Sequence, residues 1–197
     1  MPATIIFDLG GVLVHLDWDK VCTPLAELSV QSYNEVLKEV QNGPIVQSSM
    51  MGRLSPQEFH QALCAKIRVE IEFEPFIDIW NSLLSEDQDM ASFVAELASS
   101  HRLILASNTD AIHIEHSRRR FNVLGRFNRL FLSNEMGLIK PDPAYFQHIL
   151  GELRIDPADC VFIDDRSENV ISARALGINS LVFESLNKLK SDLSKLI

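Results

Sequence analysis

Short apolar runs at wide intervals restrict this chain more than any other feature. They are Thr4–Phe7, Leu103–Ala106, Leu130–Leu132 and Cys160–Ile163, with a fifth at Ser180–Phe183 after the turn-like Leu176-Gly177-Ile178-Asn179. Continuous apolar runs this short fit strands buried on both faces, as in a parallel sheet. Between the later runs lie segments of helical period, Ala111–Phe121, Ala144–Leu153 and Asn169–Leu176. Strand and helix in repetition predict an α/β fold, a doubly wound parallel sheet of Rossmann-like type.

The spacing breaks once. After Leu13-Val14 the next strand-like run is Leu103, and the interval holds helix-like stretches at Val21–Val40, Pro56–Ile67, Pro75–Leu84 and Asp87–Ser99. Ser55 with Glu58 has the spacing of a capping box at the start of the second stretch. A crossover between parallel strands needs only about a dozen residues. The excess therefore predicts an inserted helical cap at 17–84, with the core domain formed by 1–16 and 85–197.

The chain has 197 residues and a formal net charge of −9. That balance argues against nucleic acid or an anionic membrane as partner. A small anionic substrate remains compatible, because a bound cation can reverse the local field. Asp8 interrupts the apolar start, no basic leader precedes it, and no apolar run approaches the roughly 18–20 residues that span a bilayer. Cys22, Cys64 and Cys160 form no CxxC pair and are expected to be buried thiols of a cytoplasmic protein. The oligomeric state is left open.

Polar residues fall at the ends of the apolar runs. The first ends in Asp8, the second in Ser107-Asn108-Thr109, the fourth in Asp164-Asp165, and Lys140 follows the third in Gly137-Leu138-Ile139-Lys140-Pro141. Ligands of open parallel sheets bind beyond the carboxyl ends of the strands. A carboxylate there can act as nucleophile and carry a phosphoryl group. Asp8 and the Asp164-Asp165 pair suit Mg²⁺, which takes carboxylate and carbonyl oxygens. Each residue also has a structural alternative: Asp8 as a turn cap, Ser107–Asp110 as a helix cap, Lys140 as a solvated loop lysine. Two adjacent carboxylates, however, repel each other without a cation.

In this order the sequence resembles the haloacid dehalogenase superfamily. Asp8 in IIFDLGGVLV resembles its first motif, Ser107-Asn108 in LILASNT the second, Lys140 in GLIKPDPAYF the third and Asp164-Asp165 in VFIDDRSENV the fourth. Within it, the DLG form of the first motif, the Gly52–Ser55 segment and the DD form of the fourth resemble bacterial sugar-phosphate phosphatases of the alpha-D-glucose-1-phosphatase type. The resemblance implies a Mg²⁺-dependent phosphatase acting on a small phosphate ester such as glucose 1-phosphate. Asp8 would be nucleophile and metal ligand, the Gly10 carbonyl and Asp165 further ligands, and Asp164 would stand beside the metal. Ser107 and Asn108 would hold phosphate oxygens, and Lys140 would neutralise charge. Asn169 falls where the family often has a further acid.

One departure stands out. Two residues after the nucleophile, where the family usually has an Asp as general acid and base, this chain has Gly10. Asp17, and after it His15, is the candidate replacement. Trp18 and Trp80 are expected to pack the insert, Arg118–Arg120 to end a solvated helix, and His60, His113, His116 and His148 show no metal-site spacing with carboxylates. Two rival functions are a 2-haloacid dehalogenase, whose halide leaves without a proton, and a phosphate-binding regulatory protein without turnover.

Overall fold

A computed structural model describes residues 4–197; the first three residues of the expected core segment lie outside the described residues. The sheet is built from β1 (Thr4–Phe7), β4 (Arg102–Ser107), β5 (Arg129–Leu132), β6 (Cys160–Asp164) and β7 (Asn179–Val182), ordered β5-β4-β1-β6-β7. Every pairing is parallel. The chain steps outward from β1 through β4 to β5, then crosses to β6 and β7. The strand order therefore reverses around β1, the kind of switch point that opens a crevice at the carboxyl ends.

Alternation along the strands fills both faces. On one, Ile5, Phe7, Leu103, Leu105, Val161 and Ile163 pack with helices α6 (Gln88–Leu97) and α11 (Leu186–Leu193). On the other, Ile6, Ile104, Ala106 and Phe162 pack with α9 (Pro143–Leu153) and α10 (Ser167–Ala175). Strands buried on both faces must be apolar at every position, which is why they appear as unbroken runs. Helix α7 (Ala111–Arg120) and the short α8 (Ser133–Met136) follow β4 and β5.

Helices α1 (Trp18–Leu28), α2 (Tyr33–Asn42), α3 (Pro44–Met50), α4 (Pro56–Ile67) and α5 (Phe73–Asn81) surround another core, made by Val21, Leu25, Val36, Phe59, Leu63, Phe76 and Trp80. A small antiparallel ladder, β2 (Val14–Leu16) against β3 (Leu84–Glu86), stands at its base. The expected domain boundaries, after Leu16 and after Leu84, fall at the paired residues Leu16 and Leu84.

The expected continuous helix over Val21–Val40 is two. Ser29 to Gln31 interrupts it, with the Ser29 hydroxyl accepting from Gln31 N at 2.9 Å, and Ser32 opens α2 in a capping box with Glu35. The expected box of Ser55 and Glu58 starts α4, with Ser55 N donating to Glu58 Oε2 at 2.8 Å. The ladder, α3 and α11 had no counterpart in the expectation. Among the described residues, Cys22, Cys64 and Cys160 are buried and unpaired, and no helix is long and apolar enough to cross a membrane.

Candidate active site

Asp8 leaves the carboxyl end of the central strand, where its N–H donates to the Ile163 carbonyl at 2.9 Å and so continues the ladder to β6. The side chain is buried, and its Oδ1 accepts from Leu9 N at 2.7 Å. Beyond it the backbone turns through Gly11, at φ +74°, before entering β2. Gly11 is required twice over, by that positive φ and by its neighbour. A Cβ at this position would sit 2.4 Å from Asp165 Oδ2.

Lys140 reaches the same point from the segment after β5. Its buried Nζ lies 2.9 Å from Asp8 Oδ1 and 2.7 Å from Asp164 Oδ2, and donates to the Ala106 carbonyl at 2.8 Å. Asp164, fully buried at the end of β6, also accepts from Arg166 N at 2.9 Å and from Asn169 Nδ2 on both oxygens at 3.0 Å. Burial pushes the Asp8 carboxyl up to about 7; the Lys140 charge only partly offsets this, and the Asp164 charge adds to it. For Lys140 burial opposes the charged form, yet the two facing carboxylates win and hold its ammonium above the usual range. Asp165, at the mouth, is raised by partial desolvation and then by Asp164.

Asp8, Asp164 and Asp165 each bring a carboxylate oxygen within 4.8 Å of the others. Three acids share one ammonium, and hard oxygen donors with surplus negative charge fit a Mg²⁺ ion. Asp164 is already engaged by Lys140, Arg166 N and Asn169, whereas Asp165 accepts from no side chain among the described residues.

The sequence-predicted residues separate here. Asp8, Gly10, Ser107, Asn108, Lys140 and Asp165 line one cleft, and Asp164 lies directly beneath it against Lys140. Asn108 does not point its side chain at a free ligand position. Its Nδ2 donates to the Lys140 carbonyl and its Oδ1 accepts from Lys140 N, both at 2.9 Å, so it clamps the backbone that carries the lysine. Asp17 is not brought to the cleft. It precedes α1 with its carboxylate 3.6 Å from Lys20 Nζ, both half-exposed, and the cleft lining does not include it. His15 pairs instead with Asp87 at 3.4 Å and is exposed. Asn169 serves as a donor to Asp164 where an acid was in question.

A second polar group was missed. Asp110 caps α7, accepting from Ile112 N at 2.8 Å and His113 N at 2.9 Å. Its Oδ2 accepts from Trp80 Nε1 at 3.0 Å and lies 3.1 Å from His113 Nδ1, while His113 Nε2 is 2.9 Å from the Trp80 carbonyl. The indole and imidazole stack at 4.9 Å. The spacing Asp110-Ala-Ile-His113 was visible in the sequence as an i, i+3 pair; Trp80, distant in the chain, was not.

Ligand-sized space of about 360 Å³ opens between these strand ends and the inserted helices. A doubly wound sheet with a carboxylate on its central strand, an acid pair on the next and a buried lysine between them defines the class: a strand-end group-transfer site. A family model for haloacid dehalogenase-like hydrolases matches residues 2–177, and the chain belongs to that family. It is 27% identical over 187 residues to a D-ribitol-5-phosphate phosphatase of Bacteroides thetaiotaomicron, with 91% of each chain covered. To a sesquiterpene phosphatase of Aspergillus oryzae it is 25% identical over 178 residues, covering 89% of this chain and 87% of that one. The crystal structure of a family enzyme from B. thetaiotaomicron, in complex with magnesium and inorganic phosphate, superposes with a TM-score of 0.85 at 26% identity, over 96% of this chain and 99% of the other.

Proposed function

We propose that this hydrolase is a Mg²⁺-dependent phosphatase that hydrolyses a small phosphate monoester through an aspartyl-phosphate on Asp8. One observation carries the proposal: among the described residues, every hydrogen bond and ion pair of the Asp8 carboxylate falls on Oδ1. Leu9 N and Lys140 thereby fix the carboxylate while Oδ2 stays available at the head of the cleft. The named phosphatase relatives support the same reaction class.

In the first half-reaction Asp8 Oδ2 attacks phosphorus, an O–P bond forms, and the ester P–O bond breaks with its electron pair leaving on the alcohol oxygen, which takes a proton from solvent. In the second, water attacks phosphorus, the Asp8–phosphoryl bond breaks with its electron pair returning to the carboxylate, and inorganic phosphate departs, the water's protons staying on phosphate or passing to solvent. Lys140 holds Asp8 in position and supplies positive charge beside the transferring group. Ser107, buried at the end of β4, and backbone N–H groups of the surrounding turns are available to phosphate oxygens. Asn108 acts by fixing the Lys140 backbone. Asp8, Asp165 and the Gly10 carbonyl would hold Mg²⁺, with Asp164 beside them; the bound ion offsets charge between carboxylate and phosphate. No side chain at position 10 can protonate the leaving oxygen. Glucose 1-phosphate suits that lack through its anomeric leaving group, although its hydroxyls would all need partners in the cleft. The insert at 17–84 would act as the specificity-setting cap.

The test is phosphate release from acetyl phosphate and a range of monoesters, with Mg²⁺ and with EDTA. Turnover should require the cation, and Asp8→Asn should abolish it while the circular dichroism spectrum is retained. Full activity in EDTA, or more than a few per cent in Asp8→Asn, would remove this mechanism. Halide release from 2-haloacids in EDTA would favour the dehalogenase rival.

A further inference from the structure

We infer that the part of the substrate beyond the phosphate is uncharged and mostly apolar. The inference rests on the phosphatase reading and concerns the wall facing the carboxylates. The ionisable side chains that line the cleft are Asp8, Lys140, Asp165 and Arg166, from strand ends and loops of the sheet, and His113, from the first turn of α7. None comes from residues 14–84. That stretch contributes Trp18, Val40, Val46, Met50, Leu83 and Leu84 among its apolar members, and the amides of Gln41, Asn42 and Gln47 as its polar ones.

A second carboxylate or phosphate on the substrate would lose its water against this wall and meet no cation on it. On the sheet side, Lys140 is taken up by Asp8 and Asp164 and His113 by Asp110, while Arg166 is half-exposed and 2.6 Å from Glu168. Burying a charge without a partner is disfavoured. Hydroxyls fare better, but each needs a hydrogen bond to replace its water. The three amides sit together at the end of α2 and in α3, and Gln47 Nε2 already donates to the Asn42 carbonyl at 3.3 Å. A polyol would be satisfied along one edge only. An apolar group gains from the whole wall. Because Gly10 supplies no proton, an aryl ester, apolar and with a stable leaving anion, combines both demands.

Esters with one leaving group and different tails separate this inference from the phosphatase reading. With Mg²⁺, kcat/KM for 4-propylphenyl phosphate should exceed that for 3-(4-phosphonooxyphenyl)propanoate and for 4-(2,3-dihydroxypropyl)phenyl phosphate by at least about tenfold. Met50→Lys should reverse the order of the propyl and carboxylate esters, and the neutral Met50→Gln should not. Equal rates on all three, or preference for the charged or dihydroxy ester, would overturn the inference while leaving a phosphatase. No phosphate release from any of them, acetyl phosphate included, would overturn both.

Discussion

His113 shows how much one side chain can be decided by its two neighbours. Both ring nitrogens face acceptors, Nδ1 the Asp110 carboxylate at 3.1 Å and Nε2 the Trp80 carbonyl at 2.9 Å, an arrangement that favours the doubly protonated, cationic ring. Burial opposes that charge, but Asp110 and the Trp80 carbonyl outweigh it and hold the imidazole above its ordinary value. Burial opposes ionisation of Asp110 as well, yet His113 and the donors around it hold that carboxyl low. A raised histidine contributes stability that is complete below its unfolded pKa, about 6.5, and is lost as pH rises through the folded value. A lowered aspartate contributes stability present above its unfolded pKa, about 3.9, and lost as pH falls through the folded one. The pair therefore stabilises most between those limits. His113→Gln leaves Asp110 buried without its cation and should cost about 3–5 kcal/mol in urea unfolding at pH 6. The penalty should shrink toward pH 9, as the wild type loses the same charge. A penalty independent of pH would mean that packing, and not the ion pair, sets the cost. The helix cap at Asp110 is legible from its residue type; the role of the histidine one turn on is not, because Trp80, which faces its other nitrogen and stacks on its ring, is distant in the chain.

At the scale of elements, the sheet was readable because its inner strands β1, β4 and β6 are buried on both faces over nearly their whole length, whereas the edge strands β5 and β7, with exposed Arg129 and Asn179, gave shorter or weaker runs. Their polar ends were readable for the complementary reason: the carboxyl edge is where the sheet stops excluding water and ligands. The β2–β3 ladder escaped, since Val14–Leu16 and Leu84–Glu86 are three residues each and carry exposed His15 and Ser85. The break between α1 and α2 escaped although Ser32 and Glu35 have the same spacing as the box recognised at Ser55 and Glu58. Between β1 and β2 the turn is as consequential as either strand, because it brings Gly11 against Asp165. Gly11→Ala combines a positive φ with a methyl overlapping a carboxylate, so either the turn or Asp165 must move. The expected result is weaker Mg²⁺ binding by calorimetric titration together with a lower kcat. Unchanged Mg²⁺ affinity would show that Asp165 is not held for a metal by this turn.

The cleft is a product of the whole molecule: the sheet brings charge to it, and the inserted helices bring an apolar wall. Neither side brings an obvious acid to the leaving oxygen. Asp17 lies outside the cleft, the wall has no ionisable group, and His113 has both nitrogens engaged. General acid catalysis typically contributes about 10²–10⁴-fold, and more as the leaving group becomes more basic. The wild type should therefore show a steep fall of kcat/KM with leaving-group pKa across a series of aryl and alkyl phosphates. Gly10 has room for the missing residue. A Cβ there would lie 3.4 Å from Leu16 Cδ1, ordinary contact with a side chain, and the position does not need the left-handed conformation. Gly10→Asp should accordingly fold, raise the rates of alkyl esters more than those of aryl esters, and flatten the slope. A wild-type slope near zero with chemistry rate-limiting would show that a proton already reaches the leaving oxygen without a residue at position 10.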